Sequence, residues 1–190
     1  MVMPLWVYGA LLVAVGLERV GELVLSKRNA AAAFAQGAVE VGQTHYAVMA
    51  AFHTLFLLAC LAEPLLLNRA FPPVLGWVAL TGAVLAQLLR YWAITTLGRR
   101  WNTRIIVLPE ASPVTSGPYR FVKHPNYLAV VIEMVCLPLI FGGFLTAVIF
   151  SVGNAALLFV RIRAEEQALG SKYASAFAGK SRFVPGGSRV

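Results

Sequence analysis

Residues 117–127 read GPYRFVKHPNY, and residues 161–169 read RIRAEEQAL. The first stretch gathers Tyr119, Phe121 and Tyr127, whose flat faces suit an adenine or a cation, with Arg120, Lys123 and His124, which suit an anion. Pro125 belongs in the first turn of a helix, so His124 stands at a helix N-terminus, where unpaired backbone N–H groups and the dipole favour a carboxylate. The second stretch offers Arg161, Glu165 and Glu166. Carboxylates suit ribose hydroxyls or a cationic sulfonium, and an arginine suits a carboxylate or a developing oxyanion. Plainer readings of both stretches stay open: an interfacial loop that anchors the next helix, and a surface helix with Arg161 and Glu165 paired at i, i+4. A third feature is Glu133, seven positions after Asn126 and so on the same helix face, with Arg90 as its candidate partner. A carboxylate at membrane depth faces the bundle interior or a cavity, and either a structural pair or a substrate contact fits. Glu18, Arg19 and Glu22 are read as structural pairing nearer the interface. His45 and His53 lack ligand-like spacing and are read as capping or interhelical groups, so no metal is expected.

The elements that must position these residues are membrane helices. With 190 residues, 59% of them hydrophobic and 13% charged, and a mean hydropathy of +0.74, the composition is far from a soluble globular mixture. The net charge of +8 is dispersed between apolar segments, which marks topology and contact with anionic lipid headgroups and argues against nucleic acid as a partner. Cys60 and Cys136 lie inside apolar runs as small hydrophobes, with no support for a disulfide. A span needs roughly 20 apolar residues, which selects 4–25, 46–67 and 74–97. The amino terminus has neither a basic leader nor a small-residue cleavage site, so it is expected to remain as the first span. Leu128 to Val160 is broken by Pro138 and by Gly142-Gly143, which predicts a tight helical hairpin with arms at 126–140 and 144–160. The AAAAF run at 30–34 predicts a separate short helix in the first loop.

The expectation is therefore an all-α integral membrane protein with five transmembrane helices and a cytoplasmic C-terminal helix. It forms one domain over 1–190, with three spans in 1–97 and the functional part in 98–190. Apart from Arg19, Arg69 and Arg90, every Lys and Arg falls in the first loop, the loop at 98–125 or the tail. That bias puts these segments in the cytoplasm and the amino terminus outside. The hairpin returns Arg161, Glu165 and Glu166 to His124 and Tyr127, making the two stretches halves of one polar pocket. No GxGxxG, GxxxxGK[ST], GxSxG or HExxH motif occurs, which excludes a Rossmann cofactor site.

GPYRFVKHPNYL followed by a hairpin and then RIRAEEQALGSKYASAF resembles the isoprenylcysteine carboxyl methyltransferase family of integral membrane methyltransferases, over about residues 98–185. The resemblance implies that S-adenosylmethionine enters from the cytoplasm and that a lipophilic acceptor approaches from the bilayer. It implies that Tyr119, His124, Tyr127 and the backbone around Lys123 and Leu128 line the cofactor pocket, with Glu165 or Glu166 on the ribose or amino group. Arg161 then orients the acceptor, and Glu133 or a glutamate of the pair serves as base if the acceptor is a hydroxyl. Lys123 stands where the family usually has Arg, a point charge in place of a bidentate fork, and Ala129 stands where Gly is common. The run HPNYLAVVIEMVCLPLIF, with Asn126 and Glu133, is similar to a bacterial branch associated with type III polyketide synthases, which implies an alkylpyrone or alkylresorcinol acceptor in place of a prenylcysteine. The implied location is the bacterial cytoplasmic membrane. Sterol-type membrane reductases share a related carboxyl-terminal signature and bind NADPH, and a non-enzymatic membrane scaffold would use the same clusters only as anchors. These are the rival classes.

Overall fold

The computed structural model describes residues 2–109 and 111–185, with Thr44 and His45 described by their backbone alone. The His45 side chain and Arg189 thus lie outside the described residues. Among the described residues five α-helices carry the fold: α1 (Leu5–Phe34), α2 (Gln43–Leu66), α3 (Pro73–Leu97), α4 (Pro125–Leu139) and α5 (Phe144–Ala176). Of these, α2, α3 and α5 are long and apolar enough to cross a membrane, and α4 is a shorter apolar helix. Each helix turns large apolar side chains outward, among them Trp6, Leu58, Val74, Val135 and Val152. Exposed apolar surface on this scale suits lipid rather than water.

Two expectations about local structure are corrected. The first helix does not stop near residue 25 with a separate short helix at 30–34. It is one helix of 30 residues, because nothing in SKRNAAAA breaks it and alanine is the best helix former. Hydropathy marks an apolar run, not a helix end. The chain is also not purely α-helical. Strand β1 (Val39–Val41) pairs antiparallel with β2 (Ile105–Val107), in the register Val39 with Val107 and Val41 with Ile105. Runs of three residues are too short to announce a strand, and only the partner 66 residues away, Ile106 for Glu40, makes them one. An Arg104–Glu40 ion pair at 2.9 Å closes the end of this ribbon. It ties the loop after α1 to the loop after α3, so both lie at the same end of the bundle.

At the opposite end, α4 and α5 are joined by residues 140–143 and run back along each other. Gly142 takes φ +70°, a conformation open to glycine, and the Gly143 N–H donates to Pro138 O at 2.9 Å. The first turn of α5 is capped from α2: Glu63 accepts from the N–H groups of Leu145 and Thr146 at 3.2 and 2.7 Å. The core between the helices contains Tyr8, Phe56, Cys60, Met134, Leu137 and Ile140. The buried Tyr8 hydroxyl donates to Leu137 O at 3.0 Å. Beyond the core α5 continues to Gly170, whose φ of +68° and ψ of −160° break the helix and re-aim the turn that carries Tyr173.

Candidate functional site

Pro125 is the first residue of α4 and His124 is its N-cap residue, as the sequence requires. Glu165 and Glu166 come from α5 one turn after Arg161, so the return of the chain brings the two polar stretches together. The Tyr127 hydroxyl donates to Glu165 Oε2 at 2.5 Å and accepts from Arg161 Nε at 2.8 Å. Arg161 Nη2 donates to Thr103 O at 2.5 Å, and its side chain is almost wholly buried. Arg161 and Glu165 therefore share Tyr127 between them. The His124 ring stacks on that of Tyr127 at 5.3 Å, and its Nε2 meets Glu166 Oε1 at 3.0 Å.

Behind Glu166 stands Arg182, donating from Nε at 3.0 Å and from Nη2 at 2.6 Å to the two carboxylate oxygens. This bidentate pair raises the Arg182 guanidinium above its ordinary value, with the hydrogen bonds to Glu166 as the largest cause. The tail is locked to the site by its backbone too. Lys123 N–H donates to Ser181 O at 3.1 Å and His124 N–H to Arg182 O at 3.2 Å. Nothing in the sequence marked Arg182 as more than a topology charge, because its partner lies 16 residues away across a helix break.

Two cavities flank this assembly. One, of about 620 Å³, is lined by Tyr119, Lys123, His124, Tyr127 and Glu165 from the predicted set and by Leu169, Tyr173 and Phe177 near the break in α5. Arg99 and Arg100 add positive charge to its wall. The Tyr119 phenol is pushed up, first by burial and then by the charge of Glu165, so it stays a neutral O–H. Neither Leu128 nor Glu166 lines this cavity; Glu166 is held behind it by His124 and Arg182. Phe121 and Arg120 also stand apart, stacked on each other with Phe121 exposed.

The second cavity, of about 560 Å³, lies among α1, α2, α4 and α5 and is mostly apolar, with Leu12, Met49, Phe56 and Met134 in its walls. Arg161 and Glu133 both face it. Glu133 Oε2 accepts from Arg90 Nη2 at 2.6 Å, the pairing the sequence suggested, and its other oxygen stands 3.8 Å from Arg19. Glu22 reaches Arg19 at 2.9 Å and Arg90 at 3.5 Å, while Gln87 joins Arg19 to Glu18. These charges of α1, α3 and α4 are thus one network, each offset by an opposite neighbour.

Trp101, Asn102, Asn126 and Tyr127 line both cavities, so the two chambers meet there. The segment carrying Trp101 and Asn102 is fixed from α1. Ser26 Oγ donates to Asn102 Oδ1 at 2.7 Å, and Asn29 Nδ2 donates to Trp101 O at 2.7 Å. Sequence reasoning passed over Trp101 and Asn102, since the residues that hold them lie more than 70 positions earlier. The only local hint was a Trp-Asn pair directly after two arginines.

Residues 77–171, from α3 through this site to just past the break in α5, match the model described as the isoprenylcysteine carboxyl methyltransferase (ICMT) family. The chain is 40% identical over 165 residues to the uncharacterized protein YpbQ of Bacillus subtilis (strain 168), covering 86% of this chain and 95% of that protein. It is 28% identical over 148 residues to an uncharacterized protein of Haemophilus influenzae, 77% of this chain and 86% of that protein. With the site motifs inside the matched segment and the helices apolar enough to span a bilayer, the chain belongs to the isoprenylcysteine carboxyl methyltransferase family of membrane methyltransferases.

Proposed function

We propose that the protein transfers the methyl group of S-adenosylmethionine to an oxygen of a lipophilic acceptor held in the membrane. The observation that carries this reading is the meeting of a polar, ring-lined chamber with an apolar one at Trp101, Asn102, Asn126 and Tyr127. The polar chamber has the donor set such a cofactor needs. The rings of Tyr119, Tyr173 and Phe177 suit adenine, Glu165 suits the ribose or the ammonium group, and Lys123 with Arg99 and Arg100 suits the carboxylate. When bound, the cofactor supplies an activated methyl that leaves sulfur, with its bonding pair staying on sulfur, as a lone pair of the acceptor oxygen closes on carbon.

The chain's own residues position, dry and deprotonate. Walls of Leu, Met and Phe side chains keep water from the acceptor, and Arg161 fixes Tyr127 at the mouth between the chambers. A hydroxyl acceptor passes its proton to the Tyr127 oxygen as Tyr127 gives its own to Glu165, so the proton ends on the carboxylate. Glu165 is preferred to Glu133 for this role, because Arg90 and Arg19 engage both oxygens of Glu133. The acceptor reading is an alkylpyrone or alkylresorcinol rather than a prenylcysteine, supported by the likeness of the Asn126 and Glu133 region to that branch. The topology reading is five spans, with α4 and the first part of α5 as a membrane hairpin, the amino terminus outside and the site on the cytoplasmic side of the bacterial inner membrane. It is supported by the clustering of basic residues in the segments that the β1–β2 ribbon and the tail draw to one end.

The test is equilibrium binding of labelled S-adenosylmethionine to the purified protein in detergent, with NADPH as competitor. Binding that NADPH does not displace is the expected result. Binding of NADPH alone would move the protein to the reductase class, and binding of neither would leave a scaffold.

A further inference from the structure

The apolar chamber has a direction. At one end it meets the polar chamber, where the Tyr46 hydroxyl lies 3.3 Å from Thr103 Oγ1 and the Thr103 carbonyl holds Arg161. From there its lining runs along α2 from Tyr46 to Leu61 and, in the opposite chain sense, along α1 from Leu23 to Gly9. The two helices draw together at the far end: a Cβ placed on Gly9 would meet Leu61 Cδ1 at 4.0 Å. Nearer the junction they stand apart, since a Cβ on Gly16 would meet no neighbouring atom within 4 Å. By the helical period Gly16 sits in the middle of the α1 residues that line the chamber, with Leu12 and Arg19 to one side and Val13 and Val20 to the other, so a side chain there would project into the space. Gly21 is equally open but falls on the opposite face of α1, outside the lining. At the closed end Tyr8 and Cys60, the chain neighbours of Gly9 and Leu61, are wholly buried in the core with Leu12, Phe56 and Met134 of the chamber wall, so the chamber stops on packed side chains.

We infer that this trough measures the acceptor's hydrocarbon chain, with the open position at Gly16 letting the chain pass and the Gly9–Leu61 closure stopping its end. This inference rests on the methyltransferase reading above. The occupant is hydrocarbon because of where the charges stand. Arg19 and Glu22 lie a turn or more nearer the junction than Gly16, and Arg90 and Glu133 pair with them there. Past Gly16 the walls are Leu12, Val13, Phe56, Leu57 and Leu61, which leave a polar group without a partner. The length follows from the helices. Leu23 to Gly9 is about 21 Å at ~1.5 Å per residue, and an extended chain covers ~1.2 Å per bond, so about 17 bonds fit, of which a head-group ring takes about five and a chain of about 12 carbons the rest.

The test offers the purified full chain a mixture of alkylresorcinols with chains of about 4 to about 18 carbons, at a fixed ratio to detergent, with methyl-labelled S-adenosylmethionine. Product ratios by mass spectrometry give the relative kcat/KM of each length, and a loss of active protein leaves those ratios unchanged. Wild type is expected to peak near about 12 carbons and to fall about tenfold at about 5 and about 18 carbons. Gly16→Phe should move the peak to about 4 carbons, because only about 10 Å of trough remains before the new ring. Leu61→Ala should move it about two carbons longer, and Gly21→Phe should leave it in place. A flat wild-type profile, or an unshifted one in both Gly16→Phe and Leu61→Ala, overturns the inference and leaves the methyltransferase standing. So does a Gly21→Phe profile that shifts like that of Gly16→Phe. Should Gly16→Phe fail to fold, Leu61→Ala carries the test, since general damage does not produce a gain for longer chains. Wild type that binds cofactor but methylates no length sinks this inference alone, whereas wild type that binds no cofactor sinks the methyltransferase reading beneath it.

Discussion

Tyr127→Phe removes one oxygen from the junction and keeps the ring. That oxygen makes two hydrogen bonds to charged groups, at 2.5 Å to Glu165 and 2.8 Å to Arg161. Such bonds are worth about 1.5–3 kcal/mol each, but the freed Arg161 and Glu165 can pair with each other and recover part of the loss. Taking one bond as the net cost, about 1.5–3 kcal/mol, acceptor kcat/KM should fall roughly 10- to 150-fold. The phenyl ring still stacks on His124, whose wild-type centroid distance is 5.3 Å, so Kd for S-adenosylmethionine should stay within about threefold. Initial rates with methyl-labelled cofactor at varied acceptor concentration give the first quantity, and calorimetry gives the second. A rate within about twofold of wild type would show that the hydroxyl takes no part. A rate loss matched by an equal loss of cofactor affinity would reduce Tyr127 to a wall of the polar chamber.

Reporter fusions in the loop at 98–125 and after residue 160 should read as cytoplasmic, because the basic residues concentrate there; a tail found outside would separate the cofactor site from its cofactor. Glu63→Ala should cost about 1–3 kcal/mol of stability, seen as a lower Tm in detergent, since the buried carboxylate accepts from two N–H groups that begin α5; an unchanged Tm would mean that water caps that end equally well. The kcat/KM of wild type should rise from about pH 6 towards about pH 9 if the acceptor is a hydroxyl, because the nucleophile must shed a proton and the deprotonated form grows with pH. A carboxylate acceptor, ionised throughout that range, gives a flat profile.

Several parts of the site were legible because each rests on a local rule with one dominant cause. Pro125 placed a helix start, and the Gly142-Gly143 break placed the return that carries Glu165 and Glu166 to His124 and Tyr127. The period of α4 set Glu133 on the Asn126 face, and two opposite charges set in apolar runs found each other as Glu133 and Arg90. What stayed hidden depends on pairs far apart in sequence. The β1–β2 ribbon needs both strands before either exists, Trp101 and Asn102 are held by Ser26 and Asn29, and Arg182 finds Glu166 only after Gly170 breaks the helix. Glu166 shows the consequence: beside Glu165 in sequence and alike in chemistry, it is turned the other way by its helix and spent on His124 and Arg182.

The central claim is methyl transfer to an oxygen where the two chambers meet. Its most direct measurement offers the purified protein methyl-labelled S-adenosylmethionine with a long-chain alkylpyrone, a long-chain alkylresorcinol and a farnesylated cysteine analogue, and locates the label by mass spectrometry. The account predicts label on a ring oxygen of the pyrone or the resorcinol. Label on the cysteine carboxylate alone would contradict the acceptor reading and keep the methyltransferase, and a protein that binds the cofactor yet labels none of the three would contradict the account at its centre.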